Sequence, residues 1–418
     1  MWSGSFRDNL TVTFHKEETM LTIGIKRYLK WSRLWAQSLS ICTLLLSFFH
    51  IGVVSSTEIL PPQTTEILSV KSALFSQQAD FLVTLPNSYT KQTDKRYVVL
   101  FDLHPRSHLY LAGMHDWMSH NGGWPWLETI IVTAPDGHQG LGKLKQRAIE
   151  QQGDQGLLDF FEQDLLPAID KRYRTNGFRI FNGFTGNAGL VLFSLINRPS
   201  LFNAYIAASP VLSTDFAYVL NDAPKKLKNM QGKPRFLFVS TSDSDFEQRQ
   251  LDSFAKLEDM IQTNANSKLN YQIKRFDGSY YMTQPILATA LGIEMIFNDV
   301  HTVLAADSEI SQQGSQAIIA YYKRLSDEVY GFDVPAIDSL LALGNSLVNA
   351  APEQAVGVYQ DTLKAYPKAH SAYHELASVY AATGKMSEAI EAEQQALAST
   401  DHPFYQNKYT KQLAAFQN

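Results

Sequence analysis

The sequence predicts an α/β protein with a mainly parallel sheet, followed by an all-α helical region. Three observations carry this. From Ser69 to about Val300, short apolar runs of strand length alternate with helix-spaced stretches. Several of these runs are nearly unbroken, as in strands covered on both faces. Beyond Ile337 the strand signals fade, and Ala, Leu, Glu and Gln dominate.

The chain opens with residues 1–56, read as a signal peptide with an upstream extension. Leu39–Val54 (LSICTLLLSFFHIGVV) is an uncharged, mostly apolar run preceded by Lys26, Arg27, Lys30 and Arg33 and followed by Ser55-Ser56. A basic start, a short apolar centre and a small-residue exit are the parts of a secretory signal. The run falls short of the roughly 20 apolar residues of a membrane-spanning helix. Export to the periplasm or the medium is therefore expected, with cleavage near Ser56; an uncleaved membrane anchor is the alternative. Asp8, Glu17 and Glu18 are out of place in a signal start, so Met20 is a second candidate first residue. Cys42 is the single cysteine and lies inside the apolar run, leaving a cysteine-free mature chain.

Residues 57–68, with Pro61-Pro62, read as a leader into the α/β domain of residues 69–305. Strands are expected at Asp80–Leu85, Tyr97–Asp102, Thr129–Ala134, Arg179–Asn182, Tyr205–Ala208, Arg235–Ser240 and Tyr271–Phe276. Helices are expected over Leu157–Tyr173, Gly189–Asn197 and Leu251–Thr263. Strand and helix in alternation give a parallel sheet. Residues 306–336 read as a connecting helix, Ile310–Arg324, and a linker, Gly331–Pro335.

Residues 337–418 repeat. PEQAVGVYQDTL and MSEAIEAEQQAL place Ala355 and Ala389 in matching contexts, 34 residues apart. Small residues at a close helix crossing and this period resemble tetratricopeptide repeats, with Phe404–Phe416 as a capping helix. His370 and His374 fall here and read as helix-surface residues. Stacked repeats present a concave surface, so a protein or peptide partner is expected there. Deletion from Ile337 onward is expected to leave the preceding domain folded.

The whole chain has 418 residues, 45% apolar and 18% charged, with 36 basic against 41 acidic residues, a net charge of −5. That balance fits a folded protein and gives no electrostatic footprint for nucleic acid. One cysteine excludes disulfide frameworks and Cys-based zinc sites. No dinucleotide fingerprint, phosphate loop or calcium loop is present, so no cofactor is expected. The HxxxH pairs, His104 with His108 and His370 with His374, lack the glutamate of a zinc hydrolase motif, so no metal is expected.

One turn carries the chemical question. Gly183-Phe184-Thr185-Gly186-Asn187-Ala188-Gly189 joins an expected strand to an expected helix. A small-residue strand-to-helix turn lifts a side chain above a sheet and offers helix N-terminal N–H groups to an oxyanion. The surrounding stretch Pro167–Asp215 reads PAIDKRYRTNGFRIFNGFTGNAGLVLFSLINRPSLFNAYIAASPVLSTD. In Asp170, Tyr173, Arg174, Thr175, Arg198, Pro199, Phe202, Ser209, Pro210 and Asp215 it resembles the putative-esterase family of α/β-hydrolases, the esterase D and enterochelin-esterase group. The resemblance runs from about Ser69 to Val300 and implies an α/β-hydrolase sandwich.

The resemblance also implies site residues. The family's serine falls on Thr185, and its acid on Asp243 or Asp245, after the strand Arg235–Ser240. The oxyanion donors fall on Gly186 and Leu103. The family's histidine, written F-P-G-x-x-H, falls on Tyr281 in Phe276-Asp277-Gly278-Ser279-Tyr280-Tyr281. A hydroxyl nucleophile needs a neutral imidazole to take its proton. A phenol with an unperturbed pKa near 10 is a poor base. The threonine methyl also crowds a strained turn. Asp243 and Asp245 equally suit a solvated turn, and Asp215 suits a helix cap.

His104 and His138 follow expected strands at the carboxyl edge of the sheet, where a relocated base could stand. His108, His115 and His120 share an expected aromatic-rich loop with Tyr110, Trp117, Trp124 and Trp126. The sequence thus leaves two readings. One is an exported esterase-like protein with a degenerate triad that binds a ligand or partner. The other is a carboxylic ester or thioester hydrolase using Thr185 and a relocated histidine.

Overall fold

The computed structural model describes residues 63–74, 78–119, 125–134, 139–150, 156–212 and 219–418. The expected signal, Met20 and Cys42 lie outside the described residues, as do His120, Trp124, His138 and Asp215. Eight strands form one sheet: β1 (Thr64–Val70), β2 (Ala79–Leu85), β3 (Tyr97–Asp102), β4 (Thr129–Thr133), β5 (Thr175–Phe184), β6 (Ala204–Ala208), β7 (Arg235–Thr241) and β8 (Leu269–Arg275). Their order is β1-β2-β4-β3-β5-β6-β7-β8. β1, β2 and β4 pair antiparallel, and every pairing from β4 through β3 to β8 is parallel. Thr64–Leu68, read as leader, belongs to the edge strand β1; its alternating exposure suits a strand with one wet face.

The central strands are covered on both sides. In β3, Val99 and Phe101 join one core and Val98 and Leu100 the other. The first core holds α1 (Gly156–Phe160), which continues through a π turn at Phe161–Leu165 into α2 (Leu166–Arg172), and α3 (Gly186–Asn197). The second core lies under α4 (Gln284–His301). A helix also spans Ser107–Ser119, where an aromatic-rich loop is expected. Leu111, His115 and Ser119, at four-residue spacing, turn its buried stripe to the sheet. His115 meets the buried Trp126 edge-on, with ring centres 5.4 Å apart.

The second core continues into the C-terminal helices α5 (Ser315–Arg324), α6 (Ile337–Leu347) and α7 (Pro352–Ala365). Ile318, Tyr322, Leu340, Leu343 and Val358 belong to the same cluster as Phe178, Ile206 and Phe236. The stretch expected as a linker is packed: Val334 is buried, and Phe332 stands edge-on to Phe178 at 5.7 Å. Then come α8 (His370–Ala382), α9 (Met386–Ala398) and α10 (Pro403–Gln417). The helices α6 to α9 make two hairpins whose second arms begin 34 residues apart, at Pro352 and Met386. Gly344 is required where the arms of the first hairpin cross: a Cβ there would lie 2.4 Å from the Tyr359 ring.

His374 departs from the expected helix surface. It is buried, with Nδ1 2.9 and 3.0 Å from the carboxylate oxygens of the fully buried Glu393. His370 is half-buried, its Nδ1 2.7 Å from the Tyr409 hydroxyl. Removing one partner of a buried hydrogen-bonded pair leaves the other unsatisfied, at a cost of about 1–3 kcal/mol. Glu393→Ala is expected to destabilise the protein by about that much. The exposed Glu391→Ala should change stability by less than about 0.5 kcal/mol. Urea denaturation of the two variants checks this; equal midpoints would contradict it.

Candidate active site

Thr185 sits between β5 and α3 with φ 53° and ψ −118°, in the left-handed region that a β-branched residue occupies only under strain. Its N–H donates to the Ala208 carbonyl at 3.0 Å, and its carbonyl accepts the Gly189 N–H at 3.2 Å. Gly183 permits the turn: a Cβ there would meet the Asn187 backbone at 2.8 Å and Val191 Cγ2 at 2.9 Å. Gly186 and Asn187 open α3, where N–H groups have no partner within the helix. The threonine hydroxyl is thereby held at the carboxyl edge of the sheet.

The phenol of Tyr281 lies beside that hydroxyl, close enough for the two to influence each other. The Tyr281 ring lies 4.8 Å from Phe184 and stacks on Phe246 at 5.1 Å. Burial raises the phenol pKa, the neighbouring Thr185 hydroxyl opposes that rise, and the charge of Glu247 adds to it. Glu247 is the buried carboxylate here, and sequence reasoning missed it. It accepts hydrogen bonds from Thr241 Oγ1 at 3.1 Å, from Ser242 Oγ, and from Ser244 Oγ at 2.9 Å. The cluster of hydroxyl residues just ahead of it was the available signal. Asp243 and Asp245, the expected acids, are exposed. Asp243 Oδ1 accepts the Gly278 N–H at 2.7 Å and so ties the loop after β7 to the loop after β8.

Leu103 and His104 follow β3. Their shared peptide is clamped from both edges: Lys145 Nζ donates to the Leu103 carbonyl at 2.9 Å, and the His104 N–H donates to Asp102 Oδ1 at 2.7 Å. The His104 ring centre lies 6.1 Å from that of Phe184. Its Nδ1 accepts the Arg106 N–H at 3.2 Å, so the neutral ring carries its proton on Nε2. The other described histidines ahead of the C-terminal helices stand elsewhere. His108 Nδ1 is 3.5 Å from Thr84 Oγ1, His115 Nε2 accepts the Thr129 N–H at 2.8 Å, and His301 closes the far end of α4. Among the described residues no group of three or more His, Cys, Asp or Glu side chains could hold a metal ion.

Asp102 is fully buried and bonded to Asn182 Nδ2 at 2.6 Å, and Thr289 Oγ1 donates to Asn182 Oδ1 at 3.2 Å. Burial pushes the Asp102 carboxyl from near 4 to about 6, against its hydrogen bonds and the Lys145 charge. Burial also lowers the Lys145 amine to about 8. A carboxyl whose pKa is higher in the folded chain contributes stability below its unfolded pKa and loses it as pH rises through the folded one. The natural chain is therefore expected to lose stability relative to Asp102→Asn between about pH 4 and 6. The loss should be on the order of 2–3 kcal/mol, at about 1.4 per pKa unit. Urea midpoints of both chains across that window test this; a constant difference would contradict it.

The comparisons bear on this arrangement. Residues 72–275 match the family model described as putative esterase. The chain carries an esterase-like α/β-hydrolase fold. An uncharacterised protein from Capnocytophaga ochracea superposes with a TM-score of 0.61 at 14% identity, covering 84% of this chain and 99% of its own. An IroE-like serine hydrolase from Shewanella oneidensis superposes with a TM-score of 0.57 at 17% identity, covering 72% of this chain and 99% of its own. At these identities the likeness is one of fold. No curated protein matches the sequence. In the esterase-like fold, Thr185 occupies the turn after a central strand, with Tyr281 and Glu247 contributed by the loops after β8 and β7.

Proposed function

We propose that this chain is an exported esterase-like protein with a degenerate triad, which binds a small ester-like ligand or a partner instead of hydrolysing it. The observation that carries this reading is that the phenol of Tyr281 stands beside the Thr185 hydroxyl, in the place of a catalytic imidazole. A phenol whose pKa is raised holds its own proton at neutral pH and does not take the one on threonine. Glu247 has hydroxyl partners in the role that a catalytic carboxylate gives to an imidazole. The alternative reading, hydrolysis with a relocated base, gains nothing from His104. Its Nδ1 already accepts a backbone N–H, and Nε2 then donates.

The aromatic flank of Phe184, Tyr281 and Phe246 supports an apolar or planar ligand group beside the hydroxyl. The two C-terminal hairpins fit a tetratricopeptide-like reading, with the first hairpin serving the core and the second left to meet a partner. The signal-like start of the chain supports export; membrane attachment follows only if that segment is retained.

Purified full chain, assayed with short-chain nitrophenyl esters and thioesters beside Thr185→Ala, tests the proposal. The expected result is no turnover that depends on Thr185. Turnover abolished by Thr185→Ala would establish the hydrolase instead.

A further inference from the structure

Gln284, the first residue of α4, is fully buried, and neither its Nε2 nor its Oε1 has a hydrogen-bond partner in the protein. The hydroxyls of Ser209 and Ser240, 4% and 0% exposed, are likewise unpartnered. The packing of α4 directs its first turn toward the strand ends that carry the two serines. The helix runs down the sheet antiparallel to the strands: Thr289 bonds Asn182, and Phe297 packs on Phe178, farther back along β5. Gly292 lies against Ile206 of β6, where an added Cβ would be 2.9 Å from its Cδ1. Gln284, Ala288 and Gly292 are four apart and share one helix stripe. Two helical turns toward the N-terminus from Gly292, this stripe reaches the carboxyl ends of β6 and β7.

Ser240 stands opposite Ala208 there and shares a face with Phe238 and Phe236, which pack in the core under α4. The Ser209 N–H donates to the Ser240 carbonyl at 2.8 Å, so the two serines are neighbours. Ser209 also holds a positive φ of 48° where the chain leaves β6.

A primary amide and two hydroxyls, all closed to solvent, each cost free energy when left without a hydrogen-bond partner. Such a set of donors and acceptors suits a water molecule, which needs two to four polar partners and a site without charge. We infer that Gln284, Ser209 and Ser240 enclose an ordered water that ties the start of α4 to the ends of β6 and β7. The turn Tyr281–Thr283 leads directly into Gln284, so the water fastens the segment that brings Tyr281 to Thr185.

The sign of one substitution tests this. Gln284→Met keeps the length of the side chain and removes its polar atoms. If the amide bonds a water, the variant leaves that water and the serines short of a partner. Its thermal midpoint, measured on the full chain, should then fall by about 2–4 °C. Ser240→Ala should cost less in the Met variant than in the natural chain, because both act on the same water. A crystal structure that resolves solvent should place one water within hydrogen-bond distance of Gln284 and of at least one of the serines. A Met variant as stable as the natural chain, or more so, would overturn the inference. So would a crystal structure in which the amide bonds the serines directly.

Discussion

Thr185→Ser combined with Tyr281→His is expected to create esterase activity at least about 10²-fold above that of the natural chain, the low end of what a positioned base contributes. The phenol of Tyr281 meets the Thr185 hydroxyl and feels the charge of Glu247. An imidazole on the same backbone would have a hydroxyl on one side and a buried carboxylate on the other, the order that hydroxyl nucleophiles use. Replacing threonine by serine removes a methyl from a turn already at positive φ. The gain should depend on the carboxylate, so adding Glu247→Gln should remove most of it. Hydrolysis of nitrophenyl acetate by the three chains is the measurement. Activity in the double variant that ignores Glu247→Gln would mean that the carboxylate has another role.

The second large effect concerns the C-terminal helices. A chain ending at Ala336 is expected to lose its cooperative unfolding transition or to aggregate. It lacks Leu340, Leu343 and Val358, which share a core with Phe178 and Phe236. Each buried aliphatic side chain is worth about 1.5–3 kcal/mol, against a total stability of about 5–15 kcal/mol. Polar partners go as well: Ser339 Oγ bonds the Leu304 N–H at 2.9 Å and the Tyr322 hydroxyl at 2.7 Å. The Ala336 N–H donates to the Tyr366 hydroxyl at 3.0 Å. Circular dichroism melts of the truncated and full chains check this. A truncated chain with an unchanged midpoint would make the helices an independent module, as the sequence alone suggests.

The contrast shows what was legible in the sequence. β3 and β7 announce themselves because strands buried on both faces must be apolar throughout. The turn at Thr185 is legible because its small residues have a steric cause, visible at Gly183. Tyr281 was named through the resemblance, whose F-P-G-x-x-H pattern falls on the loop after β8. Glu247 was not, because a carboxylate in a Ser- and Asp-rich loop looks like solvated turn chemistry until three hydroxyls fold around it. His374 is the same case: its partner Glu393 stands on the next helix, and periodicity along one helix cannot show it. Gly331–Pro335 has the composition of a linker, and only the aromatic surface of Phe178 makes it part of the core.

The account stands on the chemistry of the Thr185 hydroxyl, and covalent labelling reads that most directly. The full chain, incubated with an activated fluorophosphonate and digested for peptide mass spectrometry, is predicted to carry no adduct on the Thr185 peptide, while Thr185→Ser with Tyr281→His acquires one. A stoichiometric adduct on Thr185 of the natural chain would contradict the account.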